Sequence, residues 1–156
     1  MRAHQYKITT KWTGNKGHGT ANVSAYKRTH IVISANKPEL QLTTDNALYG
    51  DKNMHNPEDL LTASVSSCHM MSFLYLCALE GIIVIEYTDN AIGNLMEDPK
   101  GGGHFLDINL NPRFVVTEDS MVGSAIELHK KAHEICFIAN SLNFPVIINP
   151  ICLVHK

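Results

Sequence analysis

The chain has 156 residues, 44% of them hydrophobic, with 18% charged and a formal net charge of −2. That length and apolar content suit a single domain, residues 1–156, with a real core. Only three arginines are present, and no basic run is longer than Lys27-Arg28 or Lys130-Lys131, which argues against a nucleic-acid partner held by phosphate contacts.

No run approaches ~18 uninterrupted apolar residues, so no membrane span is expected. The N-terminus MRAHQYKITTKW lacks the apolar stretch of a signal peptide, which points to a cytoplasmic protein. His4 to Trp12 alternates polar and apolar residues and reads as a strand. A Gly-rich turn over residues 13–19 leads to a second strand, Thr20 to Ser34, and Asn36-Lys37-Pro38 turns into a third, Glu39 to Thr43. After a polar loop, Asn56 can cap a helix, Pro57 suits its first position, and Glu58 and Asp59 complement its dipole. The helix should run to about Glu80 and stop at Gly81. Ile82 to Glu97 reads as a strand with a break near Gly93, and Pro99 to Gly103 connects it to a returning strand, His104 to Val116. A second helix spans Thr117 to about Leu142, and Pro145 opens a last strand, Val146 to His155. The order βββ-α-ββ-α-β gives an α+β domain with a largely antiparallel sheet.

On a helical wheel the first helix is apolar almost all round. Leu61, Val65, Tyr75 and Leu79 share the side of Cys68, while Met70, Phe73, Leu74 and Cys77 lie opposite. A helix buried on all faces needs more than one small sheet to cover it, which predicts a homodimer. The second helix is amphipathic. Val122, Ala125, Ile126, His129, Ala132, His133 and Cys136 share its core face, so Cys68 and Cys136 can face a common interior.

Cys68, Cys77, Cys136 and Cys152 form no C-x-x-C pair, and a reducing compartment disfavours a permanent disulfide framework. Three readings stand open: inert core thiols, metal ligands and redox-active thiols. His129, His133 and Cys136 fall at i, i+4 and i+7, a metal-ligand spacing to which Cys68 could add a fourth donor; a zinc-binding protein is therefore one alternative. A non-enzymatic module that holds a small ligand, its thiols only sensing oxidants, is another. Cys77 and Cys152 read as core. His69, ~100° from Cys68, reads as structural. Glu58 taken alone is a first-turn dipole residue.

The segment Asn56-Pro57-Glu58-Asp59-Leu60-Leu61, continued by Ser66-Ser67-Cys68-His69-Met70, resembles the first motif of the OsmC/Ohr family, the osmotically inducible and organic-hydroperoxide-resistance proteins. That motif is N-P-E-x-L followed by small residues and a cysteine ten positions after the glutamate, the spacing of Glu58 and Cys68. His133-Glu134-Ile135-Cys136 is similar to the second motif, H/A-x-x-C near a helix C-terminus, with Phe137 where proline usually follows. The element order is similar as well.

The resemblance implies an intertwined homodimer of OsmC-like fold, its two central helices packed on antiparallel sheets and its sites at the subunit interface. It implies a thiol-dependent peroxidase that reduces organic hydroperoxides without a cofactor. Cys68 would be the peroxidatic thiol and Cys136 the resolving one, and a lipoyl or thioredoxin-like dithiol would be the reductant. In the family an arginine pairs with the motif glutamate and steadies the thiolate. The Gly-rich turn here offers Lys16 and His18 instead, and Arg28 on the second strand is the candidate arginine. Glu58 lies ~15 Å along the helix from Cys68, so it would act through that arginine. Met71, Phe73, Tyr75 and Phe137 are expected to form an apolar substrate pocket.

Overall fold

The computed structural model describes residues 3–156. They fall into two compact units, the first ending at Leu60 and the second covering Leu61–Lys156. In the first unit, β1 (Thr9–Trp12), β2 (His30–Ile33) and β3 (Leu40–Leu42) pair antiparallel in chain order. β1 and β2 are shorter than expected. Polar side chains over residues 15–24 claim the backbone: Asn15 Oδ1 accepts from the amides of Gly17 and Gly19, and Asn22 Oδ1 from that of Ser24. Such local bonds offer the chain a turn in place of a ladder. Arg28 consequently precedes β2 rather than lying on it. At Gly14 the two arms meet so closely that a Cβ would stand 1.8 Å from the Lys27 carbonyl oxygen. The Lys27 amide donates to the Gly14 carbonyl at 2.8 Å, and Trp12 Nε1 donates to the Lys27 carbonyl at 2.8 Å.

Helix α1 (Pro57–Leu79) starts where the cap signals place it. Asn56 Oδ1 accepts from the Asp59 amide at 2.8 Å, and Asp59 Oδ2 accepts from the Asn56 amide at 3.2 Å, a reciprocal capping box. Past its end Gly81 adopts φ 70°, the left-handed conformation glycine tolerates best. By length and composition α1 is apolar enough to cross a bilayer, contrary to the expectation from uninterrupted runs, because scattered serines and one histidine barely dilute it. Yet Val65, His69, Phe73 and Cys77, each four residues after the last, form a buried stripe in the protein's own core.

The second unit carries β4 (Val84–Asp89), β5 (Ile92–Glu97), β6 (Gly103–Leu110), β7 (Pro112–Val116), helix α2 (Val122–Ile135), β8 (Val146–Ile148) and β9 (Ile151–Val154). Two stretches expected as single strands, His104 to Val116 and Val146 to His155, are each split in two, and the break expected near Gly93 falls earlier, between Asp89 and Ile92. β4-β7-β9 and β5-β6-β8 therefore form separate three-stranded sheets. The splits stand in register, since Leu110 pairs with Ile148 and Arg113 with Ile151 on either side of the break. Pro112 and Pro150 lack the N–H a ladder needs. Asparagines stitch the gap: Asn111 donates through Nδ2 to the Asn90 carbonyl at 2.9 Å, and Asn149 Nδ2 donates to Asn111 Oδ1 at 3.2 Å. The Asn111 amide donates to Asp89 Oδ1 at 2.7 Å. The sheets are also less antiparallel than expected. β6/β8 and β7/β9 run parallel, because α2 is the crossover that returns the chain in the same direction.

The core of this unit has two clusters. Phe73, Cys77, Ile82, Phe114, Val116, Ala125, Leu128 and Ala132 form one, and Val65, Ile108 and Leu110 the other. Helix α2 stops at Ile135 and does not reach Leu142. Asn140 Nδ2 donates to the Glu134 carbonyl at 2.8 Å and Ser141 Oγ to the Phe137 carbonyl at 2.7 Å, covering the carbonyls that further helix would have used. Cys136 is the C-cap, with extended backbone at φ −73° and ψ 108°.

Candidate functional site

Cys68 and Cys136, 68 residues apart in the chain, come together. The Cys136 thiol donates to Cys68 Sγ with the sulfurs 2.8 Å apart, and both cysteines are free. Cys136 is fully buried, whereas Cys68 is half-buried at the middle of α1. Burial first, and the hydrogen bond to Cys68 second, push the Cys136 thiol up to about 11. At neutral pH Cys136 therefore keeps its proton and points it at Cys68. The Ala139 amide donates to Cys136 Sγ at 3.5 Å.

Cys77 sits in the core as expected, pushed up to about 11 by burial and then by the neighbouring Cys152. Burial also raises the Cys152 thiol. Neither has the character of an attacking thiolate.

One residue beyond Cys68, the ring of His69 is buried and shares a hydrogen bond with His129 of α2, Nε2 to Nδ1, at 2.9 Å. The His129 ring lies flat on Phe73, centroids 3.9 Å apart, and tilts against Phe114 at 5.2 Å. Burial, with a smaller push from His133 against a pull from Asp89, lowers His69 to about 4. Burial and then His69 lower His129 to about 3. Both rings are neutral at physiological pH.

His69 is more than the lone structural histidine the wheel suggested, and the sequence held a signal for the pair. Each helix carries a polar ring on its apolar stripe, His69 on the first and His129 and His133 on the second, and two buried polar groups satisfy one another more readily than either is satisfied alone. The arrangement also corrects the zinc alternative. His129 turns its Nδ1 to His69, and Cys136 stands off the helix against Cys68, so His129, His133 and Cys136 do not converge. Among the described residues no group of three or more His, Cys, Asp or Glu could hold a metal ion.

The expected apolar pocket does not form from its four residues within the chain. Phe73 is fully buried against Phe114 and Tyr87, while Met71 and Tyr75 are exposed and Phe137 is 81% exposed. Glu58 is half-buried in the first turn of α1. Arg28, in the first unit, donates through Nη1 to the Val23 carbonyl at 2.6 Å and to the Tyr26 carbonyl at 2.9 Å. Its guanidinium lies over the Tyr26 ring at 4.3 Å and the Tyr49 ring at 5.2 Å. Lys16 Nζ donates to the Ser24 carbonyl at 3.3 Å, and His18 is exposed.

Residues 50–150 match the family of OsmC-like proteins. The chain belongs to that family. Its fold is similar to that of an OsmC-like protein of unknown function from Vibrio cholerae, with a TM-score of 0.85 and 26% identity over 96% of this chain and 100% of that one. It also resembles an organic hydroperoxide resistance protein from Elizabethkingia anophelis, with a TM-score of 0.69 and 20% identity over 99% of this chain and 100% of that one. The organic hydroperoxide resistance protein OhrB of Bacillus subtilis gives a TM-score of 0.67 and 20% identity, covering 95% and 98%. A search of curated proteins finds no match.

Proposed function

We propose that the chain is a cytoplasmic, homodimeric thiol peroxidase that reduces organic hydroperoxides. The observation that carries this reading is the 2.8 Å approach of Cys68 and Cys136 in a chain of the OsmC-like family, at residues whose spacing resembles its two motifs. The Cys68 thiolate attacks the terminal peroxide oxygen, forming a sulfenic acid and releasing an alkoxide that takes a proton to leave as the alcohol. Cys136 then attacks the Cys68 sulfur; its proton leaves with the hydroxyl as water, and a disulfide remains. An external dithiol reduces that disulfide and is itself oxidised. Glu58 enters the proposal through the family motif as the carboxylate, and Arg28 as the candidate for the cation that steadies the thiolate. The dimer is supported by apolar side chains the chain leaves uncovered, among them Met71, Tyr75 and Leu79 on one side of α1, and Phe137.

The test is turnover of cumene hydroperoxide with a dithiol. Wild type should show many turnovers and Cys68→Ser none. Cys136→Ser should consume one equivalent and stall as sulfenic or sulfinic acid, read by mass spectrometry. Wild-type turnover by Cys68→Ser refutes the assignment.

A further inference from the structure

The geometry points to His69 and His129 as a positioning pair for the two thiols: their hydrogen bond fixes the roll of α1 against α2 so that Cys68 stays on Cys136. This rests on the reading of Cys68 and Cys136 as a working dithiol. Cys68 and His69 are neighbours on α1, so their side chains leave the helix ~100° apart. Their partners, His129 on α2 and Cys136 at its C-cap, are seven residues apart in the chain. One contact alone leaves a helix free to roll about its axis; a second, a quarter-turn round, stops it. A roll of ~15° carries an atom ~5 Å from the axis by about 1.3 Å, enough to pull the sulfurs out of bonding geometry.

The rest of the buried stripe, Val65, Phe73 and Cys77, is nearly without direction, whereas the imidazole bond is directional. The His129 ring is itself held flat on Phe73, so the anchor does not turn. Both rings are buried, His69 at 1% exposure and His129 at 3%.

The experiment equilibrates the chain in glutathione buffers and measures the Cys68–Cys136 disulfide by mass spectrometry, giving the effective concentration of one thiol at the other. His129→Phe keeps a ring on Phe73 but removes the bond, and His69→Leu removes it from the α1 side. Each should lower the effective concentration about tenfold, the weight of one net hydrogen bond. His69→Gln and His129→Asn place an amide where Nε2 and Nδ1 stood and should stay within about threefold of wild type. Leu128→Ala loosens the same core without touching the bond and should also stay within about threefold.

Wild-type values in both His129→Phe and His69→Leu overturn the inference. So does a fall in Leu128→Ala as large as theirs, which would make the effect plain destabilisation. No hydroperoxide enters the assay, so variants that show these shifts beside a wild type that never turns over peroxide refute the proposed function and keep the positioning pair.

Discussion

Lowering the pH from 8 to 5 should cost this fold stability through its buried histidine pair. At pH 8 both rings are neutral in the folded and the unfolded chain, so they contribute no pH dependence. As the pH falls through 6.5 the unfolded chain takes up protons that the folded chain refuses, because His69 and His129 hold at about 4 and about 3. Stability is therefore present above the unfolded value and lost on the acid side. At pH 5 the solution lies about 1.5 pH units below the unfolded value, which amounts to about 2 kcal/mol per ring and about 4 kcal/mol for the pair. That figure depends little on the folded values so long as both lie below 5. Urea unfolding at pH 8 and pH 5 measures the loss. The control is the His69→Gln, His129→Asn double variant, which retains the chain's other histidines. Wild type should lose about 4 kcal/mol more than the variant between the two pH values. Equal losses would refute the buried neutral pair.

Two further outcomes follow from the same geometry. Iodoacetamide near neutral pH should modify Cys68 first; Cys77 and Cys136, both pushed up to about 11, should react only as the pH climbs toward that value, read by peptide mass spectrometry. Gly81→Ala places a Cβ at φ 70° with nothing to clash against, so the cost is the left-handed backbone alone, about 1 kcal/mol and about 3 °C in Tm by calorimetry.

The sequence exposed those features of this fold that local chemistry decides. Asn56-Pro57 and Gly81 bound α1 to within a residue because capping and positive φ are properties of the residues themselves. Cys68 and Cys136 were legible through the motif spacing and the wheel. The breaks in the last two strand stretches were not. Asn111-Pro112 and Asn149-Pro150 carry the signal, yet β-branched residues on both sides mask it, and only pairing shows that the two breaks align. The parallel pairs escaped for a related reason: direction is set by the crossover through α2, a relation between distant segments. The end of α2 was overrun because Cys136-Phe137-Ile138 keeps the apolar spacing of the helix, while Asn140 and Ser141 turn their side chains back onto the last carbonyls. The histidine pair needed the crossing of two helices, which no single wheel contains.

The placement of Cys136 just beyond its helix decides which element gives way when the dithiol closes. Forming the disulfide brings sulfurs now 2.8 Å apart to roughly 2.05 Å, a movement of about 0.8 Å. On the Cys68 side the backbone is mid-helix, with Val65, His69 and Phe73 buried around it and the His69–His129 bond one residue away. On the Cys136 side the backbone is an extended cap followed by a 3-10 turn, Ala139–Ser141, held by the Asn140 amide on the Cys136 carbonyl at 3.0 Å and the Ala139 amide on its sulfur at 3.5 Å. The weaker of these, a donor on sulfur, is also the one whose acceptor changes when the thiol becomes a disulfide. Oxidation should therefore raise hydrogen exchange at the amides of residues 139–142 and leave residues 65–77 of α1 unchanged. Local opening of this kind follows the segment with the fewest buried contacts. Exchange that rises instead in the middle of α1, with the cap unmoved, would mean that the helix yields first and that its histidine anchor does not hold it.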